Sequence, residues 1–205
     1  STTIIPRTAT LLFIPAVYLI LLSEMKLLRR TQFGNPILRT PARRLSQDEI
    51  LSPEIQGLIK NMYHTVDHKD YGVGLAAPQV GRSLAIAVIA IKPTPTLPDL
   101  VPQKLTIINP EVISSSSVKT PMWEACISFG GTSNTPYAQA VRHTQIRLRW
   151  HNESGHTQEA DFDGFMAQVI QHEVDHLNGI LFVDRVVDTH TFMTLSEYKK
   201  MRKNT

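Results

Sequence analysis

Gln171-His172-Glu173-Val174-Asp175-His176-Leu177-Asn178-Gly179 is the stretch from which the rest of the chain is read. It contains His-Glu-x-x-His. On a helix, residues four apart share a face, so His172 and His176 can point at one metal ion. Glu173, beside the first of them, can reach a water on that ion and serve as its general base. The flanks support a helix. Asp163 is a candidate N-cap, Phe165, Val169, Ile170 and Leu177 supply apolar positions, and Gly179 can stop it. Two imidazoles do not complete a site, and the same pattern also arises by chance on solvated helices. Other parts of the chain have to decide.

The 205 residues suit one domain with a sizeable core. The net charge of +3 is too small to make nucleic-acid readout the main task. Cys126 is the only cysteine, so no intrachain disulfide forms, which fits a reducing compartment. A lone cysteine is ordinarily a small buried apolar residue. Here its thiolate would complete a metal site that has two ligands so far.

Ala9 to Leu22 is almost wholly apolar but too short for a membrane span of ~20 residues, and Pro15 interrupts it. No small-x-small cleavage site follows it, so it is not a clean signal peptide. Residues 1–24 read as an N-terminal extension, a targeting segment, an anchor or added sequence, and 25–205 as the domain. Gln32 to Arg44 is turn-rich and basic, and reads as an extended, wrapping segment with solvated charges. Ser52-Pro53 opens a helix, with Ile55, Leu58, Ile59, Met62 and Val66 on its core face. His64 and His68 share that helix without an acid or cysteine, and read as surface histidines.

Gly72-Val73-Gly74-Leu75-Ala76-Ala77-Pro78-Gln79 lets the backbone approach a ligand closely. It lacks the lysine and serine of a phosphate loop and the strand and long helix of a dinucleotide fingerprint. Gln79 is placed to donate to an oxyanion. Leu84 to Ile91 is a strand, Pro93 to Pro102 a surface loop, and Leu105 to Ile113 a strand interrupted at Pro110. A turn at Ser114 to Ser117 and a loop from Phe129 to Pro136 follow. Ala138 to His143 and Gln145 to His151 alternate as paired strands, with Thr157 to Phe162 returning after a turn at Asn152 to Gly155. Leu181 to Val183 is expected as a short strand. The polar tail from Thr191 is expected to be helical.

Three stretches together resemble the peptide deformylase family: Gly72 to Gln79, Glu124-Ala125-Cys126-Ile127-Ser128, and Gln171 to Gly179. They stand in the family's order and at similar spacing, and the likeness runs from about Arg29 to about Arg185, including Phe33-Gly-Asn-Pro-Ile-Leu-Arg39. The second motif departs from the family, which has Gly at Ala125, Leu at Ile127 and Val-Pro at Phe129-Gly130. The methyl of Ala125 tightens the cleft beside the cysteine.

The resemblance implies an α+β fold, with antiparallel sheets packed around a central helix that carries His-Glu-x-x-His. It implies hydrolysis of the N-formyl group from the N-terminal methionine of nascent polypeptides. Cys126, His172 and His176 would hold one divalent metal ion, Fe2+ in the native enzyme, with Zn2+, Ni2+ or Co2+ also accepted. Glu173 would shuttle the proton, and Gln79 with the backbone N–H of Ile127 would hold the oxyanion. Val73 and Gly74 would pair with the substrate backbone. Val73, Phe165 and Val169 would line the methionine pocket, and Glu124 with Arg142 would support the site, or else be a plain surface salt bridge. The basic residues Lys199, Lys200, Arg202 and Lys203 suggest a ribosome contact. The place of action would be the bacterial cytoplasm, or an organelle if residues 1–24 are a targeting segment.

Two rival readings stand beside it, and different features weigh against each. A metzincin peptidase needs histidine where the chain has Phe182, and a thermolysin-like one needs a downstream glutamate, for which only Glu197 offers itself. A non-catalytic nascent-chain binder would have lost Glu173, Gln79 or a ligand, and all are present.

Overall fold

Ile86–Ile91 is six apolar residues without a polar interruption, and every one is buried. Such a strand must be covered on both faces. Ile86, Val88 and Ala90 meet one apolar cluster, and Ala87, Ile89 and Ile91 another. The period of two thus divides one strand between two packed helices.

The computed structural model describes residues 25–68, 73–93, 100–130 and 135–203. The apolar stretch before Met25 and most of the proline-rich loop, 94–99, lie outside the described residues. In chain order the elements are α1 (Gln47–Leu51), α2 (Pro53–Asp67), β1 (Gly74–Ala76), β2 (Ile86–Ile91), β3 (Gln103–Ser115), β4 (Lys119–Glu124), β5 (Pro136–His143), β6 (Gln145–His151), β7 (Thr157–Asp163), α3 (Gly164–Leu177), β8 (Met193–Thr194) and α4 (Leu195–Lys203). Two antiparallel sheets result. The larger runs β1-β2-β3-β6-β7 and the smaller β4-β5-β8. Helix α2 covers one face of the larger sheet with Ile55, Leu58, Ile59, Met62 and Val66, capped by the Ser52 hydroxyl on the Ile55 N–H. Helix α3 covers the other face through Ala167, Val169, Ile170, Val174 and Leu177. Its far side reaches the smaller sheet. The Gln168 side chain donates to the Trp123 carbonyl, and Gln171 brackets the His143 backbone, accepting from its N–H and donating to its C=O. This is the α+β arrangement around a central helix. Among the described residues no helix is long and apolar enough to cross a membrane.

Several local expectations are corrected. β5 and β6 are both strands but do not pair; β5 joins β4 and β8, whereas β6 lies between β3 and β7. β3 is not broken at Pro110. It passes through a register shift between Ile108 and Glu111, with Asn109 at φ 52°. The Asn109 amide is held there by the Leu45 N–H and C=O, both at 2.8 Å. β3 also takes in Ser114 and Ser115, which were expected in a turn. Leu181 to Val183 is not a strand; Phe182–Arg185 forms a 3-10 turn. Asp163 precedes α3 but makes no side-chain cap. Gly179 does end it, at φ 73°, and a side chain there would lie 2.7 Å from the Arg39 carbonyl group.

Candidate active site

Helix α3 places His172, Glu173 and His176 at the seam between its two sheets, and the third donor comes from the loop after β4. Ligand atoms of Cys126, His172 and His176 all lie within 4.8 Å of one another. Cys126 Sγ is 3.2 Å from His176 Nε2. Burial by itself would push the thiol up, but His176 and His172 hold it well below its ordinary value, as suits a ligand thiolate. One soft anion and two imidazoles fit a divalent cation, and three protein donors would leave a coordination position open. No other group of three potential ligands converges among the described residues. His64 and His68, at the end of α2, have rings 6.4 Å apart and belong to no such group.

The His172 ring is oriented from behind. His172 Nδ1 is 2.9 Å from Glu124 Oε2, which leaves Nε2 to face the cleft. Glu124 takes two bonds from Arg142, Nε at 2.7 Å and Nη2 at 2.9 Å. Both side chains are almost wholly buried, so this is no surface salt bridge. Burial would raise the Glu124 carboxyl, yet Arg142 and His172 bring it to about 2. Arg142 also donates to Asp175, and Arg185 closes that carboxylate with bonds of 3.0 and 2.7 Å. The network therefore runs from His172 through four charged groups to the surface. Asp175 and Arg185 carried no signal of their own in the sequence. Asp175 could have been suspected as an acid on a helix face that must pack.

Glu173 is buried, and its Oε2 has no hydrogen-bond partner among the described residues. Burial pushes its carboxyl up to about 7. An acid without a hydrogen-bond partner in such a place is costly as structure and suited to handling protons. Gly74 lies against it: a Cβ built there would be 2.3 Å from Glu173 Oε1. Among the described residues β1 is an edge strand, paired only with β2. Because the Val73 carbonyl accepts from Ala90, alternation turns the N–H and C=O of Gly74 to the open edge.

Gln79 is also buried. Its Oε1 accepts from the Ala76 N–H at 2.8 Å, which turns Nε2 toward Cys126 Sγ and Ser128 Oγ, each at 3.3 Å. Ile127 follows the cysteine, and its N–H makes no hydrogen bond among the described residues. Val73, Phe165 and Val169 belong to one apolar cluster on the β1 side of α3. Phe182 packs with His172 at a ring separation of 6.3 Å, and Glu197 is an exposed partner of Lys200, so neither acts as a third peptidase ligand.

Comparison with known proteins agrees with this geometry. Residues 28–192 match the polypeptide deformylase family. A peptide deformylase of Prochlorococcus marinus (strain NATL2A) is 40% identical over 158 residues, 77% of this chain and 72% of that protein. One from Aquifex aeolicus is 37% identical over 172 residues, covering 84% and 95%. The Met-Ala-Ser-bound crystal structure of a class I type b peptide deformylase from Acinetobacter baumannii superposes with a TM-score of 0.73 at 34% identity, covering 79% and 99%. The peptide deformylase of Thermotoga maritima gives 0.68 at 31%, covering 80% and 99%. Relatives this similar over most of their own length, on a fold they share, establish that the chain belongs to the peptide deformylase family.

Proposed function

We propose that this chain hydrolyses the N-formyl group of nascent polypeptides at the seam beside α3, with the following division of labour. Cys126, His172 and His176 hold one divalent ion, which when bound supplies Lewis acidity and makes a water acidic enough to attack near neutral pH. Ferrous iron is the proposed resident ion; zinc, nickel and cobalt suit the same donors.

The substrate backbone adds to the open edge of β1 at Gly74, which sets the formyl group above Glu173. The methionine side chain enters the apolar cluster of Val73, Phe165 and Val169. Glu173 accepts a proton from the attacking water and passes it to the amine nitrogen as the C–N bond breaks, giving formate and a free N-terminus. Gln79 Nε2 and the Ile127 N–H receive the charge that develops on the formyl oxygen, each donor being worth roughly 3–4 kcal/mol. Glu124 fixes the tautomer and angle of His172.

The observation that carries this reading is the Gly74–Glu173 contact. It puts a buried carboxylate, one oxygen of which has no partner among the described residues, beneath the open edge of β1 and beside the three convergent donors. Formate release from formyl-Met-Ala-Ser by metal-loaded protein is the test. Absence of formate would sink it.

A finer proposal concerns α4. Lys199, Lys200, Arg202 and Lys203 are held at one end of the domain because Tyr198 stacks on Tyr137 at 4.4 Å. We assign this end to the ribosome, on the cytosolic side where chains emerge. Ribosome co-sedimentation with and without residues 195–205 checks it, and equal sedimentation would refute it.

A further inference from the structure

Residues 25–33 belong to none of the three motifs, yet they lead to the cleft. The segment first lies along α2, where the Lys26 N–H donates to Asn61 Oδ1 at 2.8 Å and the Leu28 N–H to Thr65 Oγ1 at 3.0 Å. It then reaches the two loops that carry Gln79 and Ile127. The Thr31 N–H donates to the Gln79 carbonyl, and the Phe33 N–H to the Ser128 carbonyl, both at 2.7 Å. Between them Arg30 Nη1 at 3.3 Å and Gln32 Nε2 at 3.5 Å converge on the Ile127 carbonyl. Gln32 Oε1 takes the Gly130 N–H at 3.3 Å, so this side chain grips the loop twice.

Those two loops have no strand ladder between them. Gln79 lies in the 3-10 turn after β1 in the larger sheet, and Ile127 follows β4 in the smaller one. The loop after β4 is a turn closed by the Phe129 N–H on the Cys126 carbonyl at 2.9 Å. That bond fixes the peptide group to which the Ile127 N–H belongs, and a trans peptide sends N–H and C=O in opposite directions. The Ile127 N–H therefore faces away from the turn, and the next carbonyl, that of Ile127 itself, is what Arg30 and Gln32 hold.

We propose that Arg30–Phe33 is a positioning strap that sets the Ile127 N–H and the Gln79 amide at the spacing of one oxyanion, Arg30 and Gln32 acting through the Ile127 carbonyl. The inference rests on the reading of Gln79 and Ile127 as oxyanion donors. The strap bonds to main-chain carbonyls on both sides of the seam, and it does so immediately behind the groups that must be placed to within a fraction of an ångström. Neither Arg30 nor Gln32 has another hydrogen-bond acceptor in the described residues. Their effect is accordingly on the transition state and not on docking of the peptide.

Because the two side chains share an acceptor, the double variant Arg30→Met with Gln32→Ala is the decisive one. Its kcat on formyl-Met-Ala-Ser is expected to fall at least about tenfold, with KM, metal content and melting temperature as in the wild type. Arg30→Lys, which keeps a donor of similar reach, should recover most of the rate. A kcat within about twofold of wild type would overturn the strap, and so would a loss shared by KM, metal content or melting temperature, because that marks a merely structural segment. Gln79→Ala run in parallel separates the two readings. If it keeps full kcat, the oxyanion assignment falls and the strap with it. If it loses kcat while the double variant does not, only the strap falls.

Discussion

Gly74 and Glu173 touch across the cleft: a single methyl added to the glycine would overlap the carboxylate oxygen at 2.3 Å, with the Glu173 Cδ at 2.8 Å. The strand edge and the acid are thus set to each other without any side chain between them.

Gly74→Ala follows from this contact. The atom that must yield is the end of a side chain and not backbone, so the fold should survive with a melting temperature close to wild type. The buried carboxylate, however, has to leave its place. A displacement near 1 Å costs on the order of a hundredfold in rate. Steady-state kinetics beside thermal melting checks it; retention of more than about a tenth of kcat would show that Glu173 can work from a second position.

Glu173→Gln keeps the shape of the side chain and removes its basicity. The expected product is a folded protein with a full complement of metal and less than about a hundredth of the activity, the scale of general acid–base catalysis. Metal analysis and formate release on one sample decide the matter. Loss of the metal would make Glu173 a ligand instead.

The Glu124–Arg142 pair should separate stability from metal affinity. Arg142→Met leaves Glu124 and Asp175 as buried carboxylates, although Arg185 still holds the latter, and should cost about 3–5 kcal/mol in a urea titration. Glu124→Gln keeps a group that can bond to His172 but not its charge. It should weaken metal binding by about 10- to 100-fold. Competition with a chelator measures the second effect.

Removal of the thiolate is the fourth case. Cys126→Ser replaces a soft anion by a neutral hydroxyl, so full metal occupancy in that variant would take Cys126 out of the ligand set. In the wild type the same thiolate is the oxidisable group of the proposed metal site. Apo-protein reconstituted anaerobically should lose activity in air faster with iron than with nickel, zinc or cobalt. Equal decay for all four would refute this.

Helix α3 was legible because His-Glu-x-x-His suggests both a period and a chemistry, and α2 because a cap, a proline and an apolar stripe agree. β2 was legible as a strand for a different reason: burial on both faces leaves a continuous apolar run. What failed was partnership. Alternation in Ala138 to His143 and Gln145 to His151 identifies two strands, but not their neighbours. The clue that was passed over is Thr144. One residue between two strands is too short for a hairpin turn, so the strands must part into different layers. Leu181 to Val183 offered three apolar residues, too few for a period. Pro110 looked like a strand end because a ladder normally needs its N–H; a bulge removes that need. In the site, Glu124 and Arg142 gave no sign of burial, which depends on what the fold stacks over them. The strap residues Arg30 and Gln32 read only as basic and polar, since their acceptor is a backbone carbonyl without a side-chain signature.

The seam beside α3 has a dynamic consequence. The sulfur donor belongs to the smaller sheet's side and the two imidazoles to the helix lying on the larger one, and Cys126 is only 5% exposed. A bulky thiol reagent can reach it only when the loop after β4 moves off α3. The labelling rate of Cys126 in metal-free protein is therefore a clock for that opening, readable without substrate. An ion bridging the layers would stop the clock by mass action, to a degree set by its concentration over its dissociation constant.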